Sequence, residues 1–267
     1  MDYSQILSQQ FNIKEEYAKN IITLLDDGNT IPFIARYRKE MHGSMDDQLI
    51  REFAEKLEYL RGLDKRRDEI RSLIDAQEKL TDEINLALDK AATLSELEDI
   101  YRPYRPKRKT RASIAKEKGL EPLANNILKQ EKGFDPSKSA VDYIDEEKGV
   151  TSVEDAIQGA MDIIAELVSD NAEIRKRIRN LTNANGVLVS VATDEEKDSV
   201  YKNYYDYKEP VKKIAGHRVL AVNRGEKEGF LKVSVETDSE KPLNSIFRAM
   251  ITDKNQLCSD IIREACT

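Results

Sequence analysis

The stretch that decides the fold is DDQLIREFAEKLEYLRGLDKRRDEIRSLI, residues 46–74. Its apolar residues recur every three or four positions, the spacing that places side chains on one face of an α-helix. This stripe consists of Ile50, Phe53, Leu57, Leu60, Leu63, Ile70 and Ile74. We therefore predict a long amphipathic helix from about residue 46 to about residue 76. Gly62 lies in its interior and would allow it to bend.

Helical patterns also precede and follow this stretch. Thr30 and Thr81 are placed to cap the starts of two of these helices, and further helices are predicted over 152–168, 172–181, 241–253 and 256–266. VLVSVA at 187–192 and FLKVSVE at 230–236 read as short strands, and HRVLAVNRGEKEG at 217–229 fits a helix better than a strand and turn. The fold class predicted is mainly α, a multi-helix N-terminal region with a helix-turn-helix-like module and a small β element.

The overall charge of −7 argues against indiscriminate binding of polyanions. The two cysteines form no disulfide framework, which indicates a reducing compartment, so we expect a cytoplasmic protein. The sequence has no signal peptide and no apolar run of the length that a membrane span needs, so no membrane partner is expected. The last residues, REACT, carry no helix stop signal, and we expect the chain to continue in a longer protein.

One segment reverses the charge of the chain. YRPYRPKRKTRASIAKEK at 101–118 carries a net charge of +7, with six cations between residues 102 and 111. Pro103 and Pro106 disfavour helix, so we predict an extended basic connector over YRPYRPKRKTR, residues 101–111, with helical spacing returning around Ser113. Its candidate nucleic-acid-binding residues are Arg105, Lys107, Arg108, Lys109 and Arg111. The alternative is a solvated connector that pairs with acidic helices. Tyr101 and Tyr104 would stack on bases or pack on a neighbouring helix.

The helices on either side of a three-residue break at 169–171 form a second basic candidate. The spacing AEIRKRIRNL at 172–181 buries Ile174, Ile178 and Leu181. It places three further candidate nucleic-acid-binding residues, Arg175, Lys176 and Arg179, on the outer face. Two short helices with a basic second helix are typical of a helix-turn-helix, although most antiparallel helix pairs share that pattern.

Motifs for catalysis, metal binding and cofactor binding are missing from the sequence. The chain has two histidines, and we expect His42 to be a solvated loop residue and His217 to cap or pack a helix. We therefore predict no catalytic residues, no metal ligands and no cofactor, in a protein that is not an enzyme. The predicted domains are 1–133 with the basic connector 101–118, the helix-turn-helix-like module 134–192, and 193–267 with the β element and the last helices.

Several long stretches resemble the N-terminal region of the Tex family of bacterial transcription accessory proteins. They are GNTIPFIARYRKE at 28–40, EKLEYLRGLDKRRDEI at 55–70, TLSELEDIYRPYRPKRKTRASIAKEKGLEPLA at 93–124 and YDYKEPVKKIAGHRVLAVNRGEKEGFLKVSVE at 205–236. The resemblance implies a mainly helical region with a helix-turn-helix module and no catalytic role. In the family an RNase-H-like domain, helix-hairpin-helix elements and an OB-fold domain follow, and nucleic acid is bound without marked sequence preference, largely through the OB-fold domain.

Two departures from the family pattern bear on binding. Met41-His42-Gly43-Ser44 stands where the family commonly has a Thr-Gly turn, and Thr193-Asp194-Glu195-Glu196 stands where a basic Lys-Gly-Lys is common. The second departure removes positive charge close to the helix pair. The function implied is a non-catalytic N-terminal part that scaffolds and assists sequence-independent binding of RNA or DNA. The alternative is a protein-interaction module that docks the factor onto the transcription machinery through its acidic helices.

Overall fold

The computed structural model describes residues 2–106, 108–252 and 254–267. The chain is 66% helical and has a small antiparallel sheet, which confirms the predicted fold class. Contacts divide it into two compact units, residues 1–101 and 102–267. The predicted boundaries at 133/134 and 192/193 stay predictions. No described helix is long and apolar enough to cross a membrane.

The first unit is all-helical. Its helices are α1 (Tyr3–Phe11), α2 (Glu15–Asp26), α3 (Ile31–Tyr37), α4 (Lys39–His42), α5 (Asp47–Asp75), α6 (Asp82–Lys90) and α7 (Leu94–Tyr101). The long α5 matches the predicted helix and runs on through Gly62. Asp46 caps its start by accepting a hydrogen bond from the Leu49 amide at 2.8 Å. All seven apolar residues of the predicted stripe are buried, so the periodicity identified the core face correctly.

The core of the first unit forms where α5 packs against α1, α2 and α3. Phe53 is fully buried there, and its ring lies 5.3 Å from that of Phe11. His42 is fully buried too, and its Nε2 lies 3.1 Å from the Ile34 carbonyl oxygen. The prediction of a solvated loop histidine is therefore wrong, because the short α4 turns this side chain into the core. A four-residue helix is too short to show a periodic pattern, so the burial of His42 could not be predicted from the sequence.

The second unit combines helices with the sheet. Its elements are α8 (Arg111–Glu117), α9 (Glu121–Lys129), α10 (Pro136–Ala140), α11 (Val153–Asp170), α12 (Ala172–Asn185), β1 (Val187–Ala192), β2 (Asp206–Pro210), α13 (Gly216–Lys227), β3 (Leu231–Glu236), α14 (Glu240–Met250) and α15 (Gln256–Cys266). Three short 3₁₀ turns lie at Arg102–Tyr104, Val141–Tyr143 and Lys202–Tyr204. Its main core forms where α11 packs against α8, α9 and α15.

The sheet has the order β2-β1-β3, with both pairings antiparallel. β1 and β3 match the predicted strands within one residue, and α13 lies where a helix was preferred. The central strand β1 pairs Val187 with Pro210 on one side and with Glu236 on the other. β2 was not predicted, because its sequence DYKEP has no apolar alternation and its pairing with β1 is non-local.

Two local predictions need correction. The predicted extended connector begins with a 3₁₀ turn at Arg102–Tyr104. Regular helix resumes at Arg111, close to the predicted return around Ser113. Thr110 caps that helix by accepting a hydrogen bond from the Ser113 amide at 3.0 Å. The predicted three-residue break at 169–171 is a single residue, Asn171, which ends α11 and caps α12 through the Ile174 amide at 3.0 Å.

Candidate nucleic-acid interface

The basic segment lies against an acidic stripe of α11. Asp162, Glu166 and Asp170 are four residues apart along this helix, so their side chains share one face. Together with arginines of the basic segment they line an open cavity of about 620 Å³. The arginines in its lining are Arg102, Arg105, Arg108 and Arg111. The carboxylates that line this cavity thus come from α11, which was not predicted as a partner of the segment although the spacing of the three carboxylates is visible in the sequence.

Several cations of the segment are held by partners within the unit. The Arg102 Nε lies 2.9 Å from the Asp170 Oδ1, and that carboxylate is almost fully buried. Lys109 pairs with Glu117 at 3.4 Å, and Lys116 pairs with Glu121 at 3.7 Å. The Lys118 Nζ donates to the Gly149 carbonyl oxygen at 2.7 Å. Part of the positive charge therefore holds the segment in place.

Other cations of the segment face solvent. Arg105, Arg108 and Arg111 are all exposed. Neither Arg108 nor Arg111 makes an ion pair or a side-chain hydrogen bond with a residue that the structure describes. Arg105 has an interaction of its own within the chain. Lys107, a further predicted site residue, lies outside the described residues. The structure thus separates two arginines that are open to a ligand from cations that already have partners.

The cavity rim is fixed by a hydrogen bond as well as by the ion pair. The Thr110 hydroxyl donates to the Glu166 Oε1 at 3.0 Å, just before α8 begins. This bond holds the backbone on which Arg108 and Arg111 are carried. Tyr101, a predicted stacking residue, is buried, and the Arg66 guanidinium lies 5.6 Å from the centre of its ring. It packs within the first unit, as the alternative interpretation of the tyrosines expected.

The second predicted group of cations lies on α12. Lys176 is exposed, whereas Arg175 and Arg179 are half-buried. These two arginines border an apolar groove of about 380 Å³ that also includes Ile178 and Ile246. The Arg175 guanidinium donates to the Ser169 carbonyl oxygen at 3.3 Å. The three residues therefore differ in exposure, and the helix-turn-helix interpretation of this helix pair stays a prediction.

Comparison with known families gives two matches that follow one another along the chain. The model of the Tex-like protein N-terminal domain matches residues 1–75, and that of the Tex central region matches residues 131–266. The chain belongs to the Tex family. This confirms the resemblance stated from the sequence.

Relatives of this Tex-family chain occur in bacteria and in animals. The Bacillus subtilis protein YdcI is 42% identical over 99% of this chain and 38% of its own length. The Bordetella pertussis protein tex is 39% identical over 90% of this chain and 31% of its own length. The human S1 RNA-binding domain-containing protein 1 is 31% identical over 88% of this chain and 24% of its own length. The chain thus spans about a quarter to two fifths of the length of these relatives.

Proposed function

We propose that this Tex-family region is a non-catalytic scaffold that assists nucleic-acid binding by holding the phosphate backbone without sequence preference. The observation that carries the proposal is the pair Arg108 and Arg111, which are exposed and have no partner among the described residues. Guanidinium groups bind phosphates in a bidentate geometry, and contacts to the backbone carry no sequence information. A relative from Neisseria gonorrhoeae is named transcriptional accessory protein Tex, and the human relative is named for RNA binding, which supports the proposal.

The acidic stripe of α11 would position the segment that carries these arginines, through the contacts of Asp170 with Arg102 and of Glu166 with Thr110. Three carboxylates beneath four arginines keep the cavity close to neutral, so the ligand meets a few oriented cations and not a strong general field. Binding would then be weak in this region alone and would depend on salt. This agrees with the acidic charge of the whole chain.

The test is a titration of the chain with labelled single-stranded and duplex oligonucleotides, of DNA and of RNA, over a series of salt concentrations. The variant R108A/R111A removes two phosphate contacts. It should therefore flatten the slope of log affinity against log salt by about 1.4 to 1.8. The matched control K116A/K118A removes two cations of the same segment that have partners in the chain, and it should keep the parent slope.

The outcome that contradicts the proposal is an R108A/R111A variant that binds as the parent does at every salt concentration. The absence of catalysis is tested in the same samples, since the oligonucleotides should be recovered intact. The alternative, docking onto the transcription machinery, stays a prediction. It expects no salt-dependent binding of oligonucleotides by the parent chain.

A further inference from the structure

A second cationic surface lies between α12 and α14, which pack against each other. It is a groove of about 430 Å³ on the opposite side of α12 from Arg175 and Arg179. Its lining residues are Arg177, Leu181, Lys241, Asn244, Ser245 and Arg248. No carboxylate belongs to this lining among the residues that the structure describes. The groove thus differs from the cavity over α11, where carboxylates balance the arginines.

The orientation of α14 follows from its apolar face. Ile246 and Met250 pack against the main core of the second unit, and the Arg263 guanidinium lies 5.0 Å from the centre of the Phe247 ring. The polar residues of α14 that line the groove occupy positions 241, 244, 245 and 248, which form one stripe along a helix. Packing of the apolar face therefore fixes this polar stripe towards the groove.

The orientation of α12 is fixed in the same way. Ile174 is buried in the main core and Ile178 packs against it. Arg177 and Leu181 are four residues apart, so they lie together at the edge of this apolar face, where it borders α14. The sequence-based interpretation considered only the face with Arg175, and Arg177 was not among its candidates.

The three cations of the groove have no partner of opposite charge in the described parts of the chain. Arg177, Lys241 and Arg248 are exposed, and none makes an ion pair or a side-chain hydrogen bond with a described residue. In a chain with a net charge of −7, these three cations come from two helices to one groove whose described lining has no carboxylate. They provide three contacts for an anionic ligand, and Asn244 and Ser245 between them add hydrogen-bonding groups.

We propose that this groove binds the phosphodiester backbone of single-stranded nucleic acid, as a second surface distinct from Arg108 and Arg111. Lys241 and Arg248 are seven residues apart, about 10.5 Å along the helix axis. At about 3.4 Å or more per nucleotide, that length fits two or three phosphates of one strand. These cations come from both helices that border the groove, so one flexible strand can follow it and contact all three. The inference rests on the proposed nucleic-acid binding. It adds a second binding site and specifies that the ligand there is single-stranded.

The test compares two triple variants of the chain in a titration with a labelled single-stranded oligonucleotide at about 50 to 300 mM salt. R177A/K241A/R248A should flatten the slope of log affinity against log salt by about 2, at about 0.7 for each of three contacts. The control K132A/K213A/K227A removes three exposed cations from three separate places, changes the net charge equally, and should keep the parent slope. R177K/R248K keeps the charges and should also bind, which separates lost charge from altered packing.

Five outcomes overturn the inference. In the first, the groove variant binds as the parent does while R108A/R111A loses affinity, so that the proposed function stands and the groove is not a site. In the second, both triple variants lose affinity equally, which identifies general charge as the cause. In the third, the groove variant loses more affinity for duplex than for single-stranded oligonucleotide, which refutes the proposal that the ligand is single-stranded. Polyglutamate is titrated in parallel. If the groove variant loses affinity only for polyglutamate, the groove binds an acidic polypeptide. A parent chain that binds no oligonucleotide refutes this inference and the proposed function together.

Discussion

Asn255 ties the start of α15 to the loop after α9, and its replacement is the sharpest test of how the second unit is held together. Its Nδ2 donates to the Glu131 carbonyl oxygen at 2.8 Å and to the Phe134 carbonyl oxygen at 2.7 Å. Its Oδ1 accepts from the Cys258 amide at 3.3 Å and so caps α15. The residue is buried, so a smaller side chain would leave the two carbonyl groups without this donor.

We expect N255A to lower the free energy of unfolding of this unit by about 3 kcal/mol. Loss of an N-cap costs about 1 kcal/mol, and each of the two hydrogen bonds to a carbonyl contributes about 1 kcal/mol net. For a unit of this size the melting temperature should fall by roughly 6 to 12 °C. N255D keeps the cap acceptor but places a carboxylate against two carbonyl oxygens, so it should destabilise at least as much.

Urea and thermal unfolding followed by circular dichroism measure these differences, and hydrogen exchange assigns the affected transition to residues 102–267. The control is N125A, which removes an exposed asparagine from α9 and should change the stability by less than about 0.5 kcal/mol. An N255A variant within about 0.5 kcal/mol of the parent would show that these bonds do not hold α15 against the loop.

Two further predictions concern buried or paired charges. The buried Arg67 donates to the Leu88 and Ala91 carbonyl oxygens at 2.9 and 3.0 Å and pairs with Asp64. R67A should therefore lower the free energy of unfolding of the first unit by about 3 to 5 kcal/mol, measured by urea unfolding. The control R51A breaks an exposed pair with Asp47 and should cost only about 0.3–0.5 kcal/mol. Equal losses of stability in R67A and R51A would contradict the role of Arg67. Hydrogen bonds from Tyr207 and from Arg218 lower the pKa of Glu209 below its usual 4.5. The ionised Glu209 therefore stabilises the fold at pH values above 4.5, and this stabilisation is lost as the pH falls through the lowered pKa. E209Q should therefore reduce the acid-induced fall of the urea midpoint, and an unchanged pH profile would refute the coupling.

The amino-acid sequence was sufficient for the helices and for much of their capping. The stripe from Ile50 to Ile74 identified α5 and its buried face. Thr81 caps α6 as predicted, accepting from the Ile84 amide at 3.3 Å, whereas Thr30 precedes α3 without a side-chain capping bond. These features depend on neighbours within one or two turns, so their physical causes lie within the local sequence. The family too could be identified from the sequence, because its characteristic stretches are long and occur in order.

The partner of each cation was decided only by the tertiary structure. Local patterns within 101–118 do not distinguish Arg102, which pairs with Asp170 sixty-eight residues later, from Arg108, which has no partner among the described residues. Arg177 likewise gained its significance from Lys241 and Arg248, which the packing of α14 brings to α12. Helical periodicity fixes which residues share a face, since the backbone geometry is local. The choice of which helix faces pack together depends on the burial of apolar surface between distant segments. That burial is settled only when the whole unit folds.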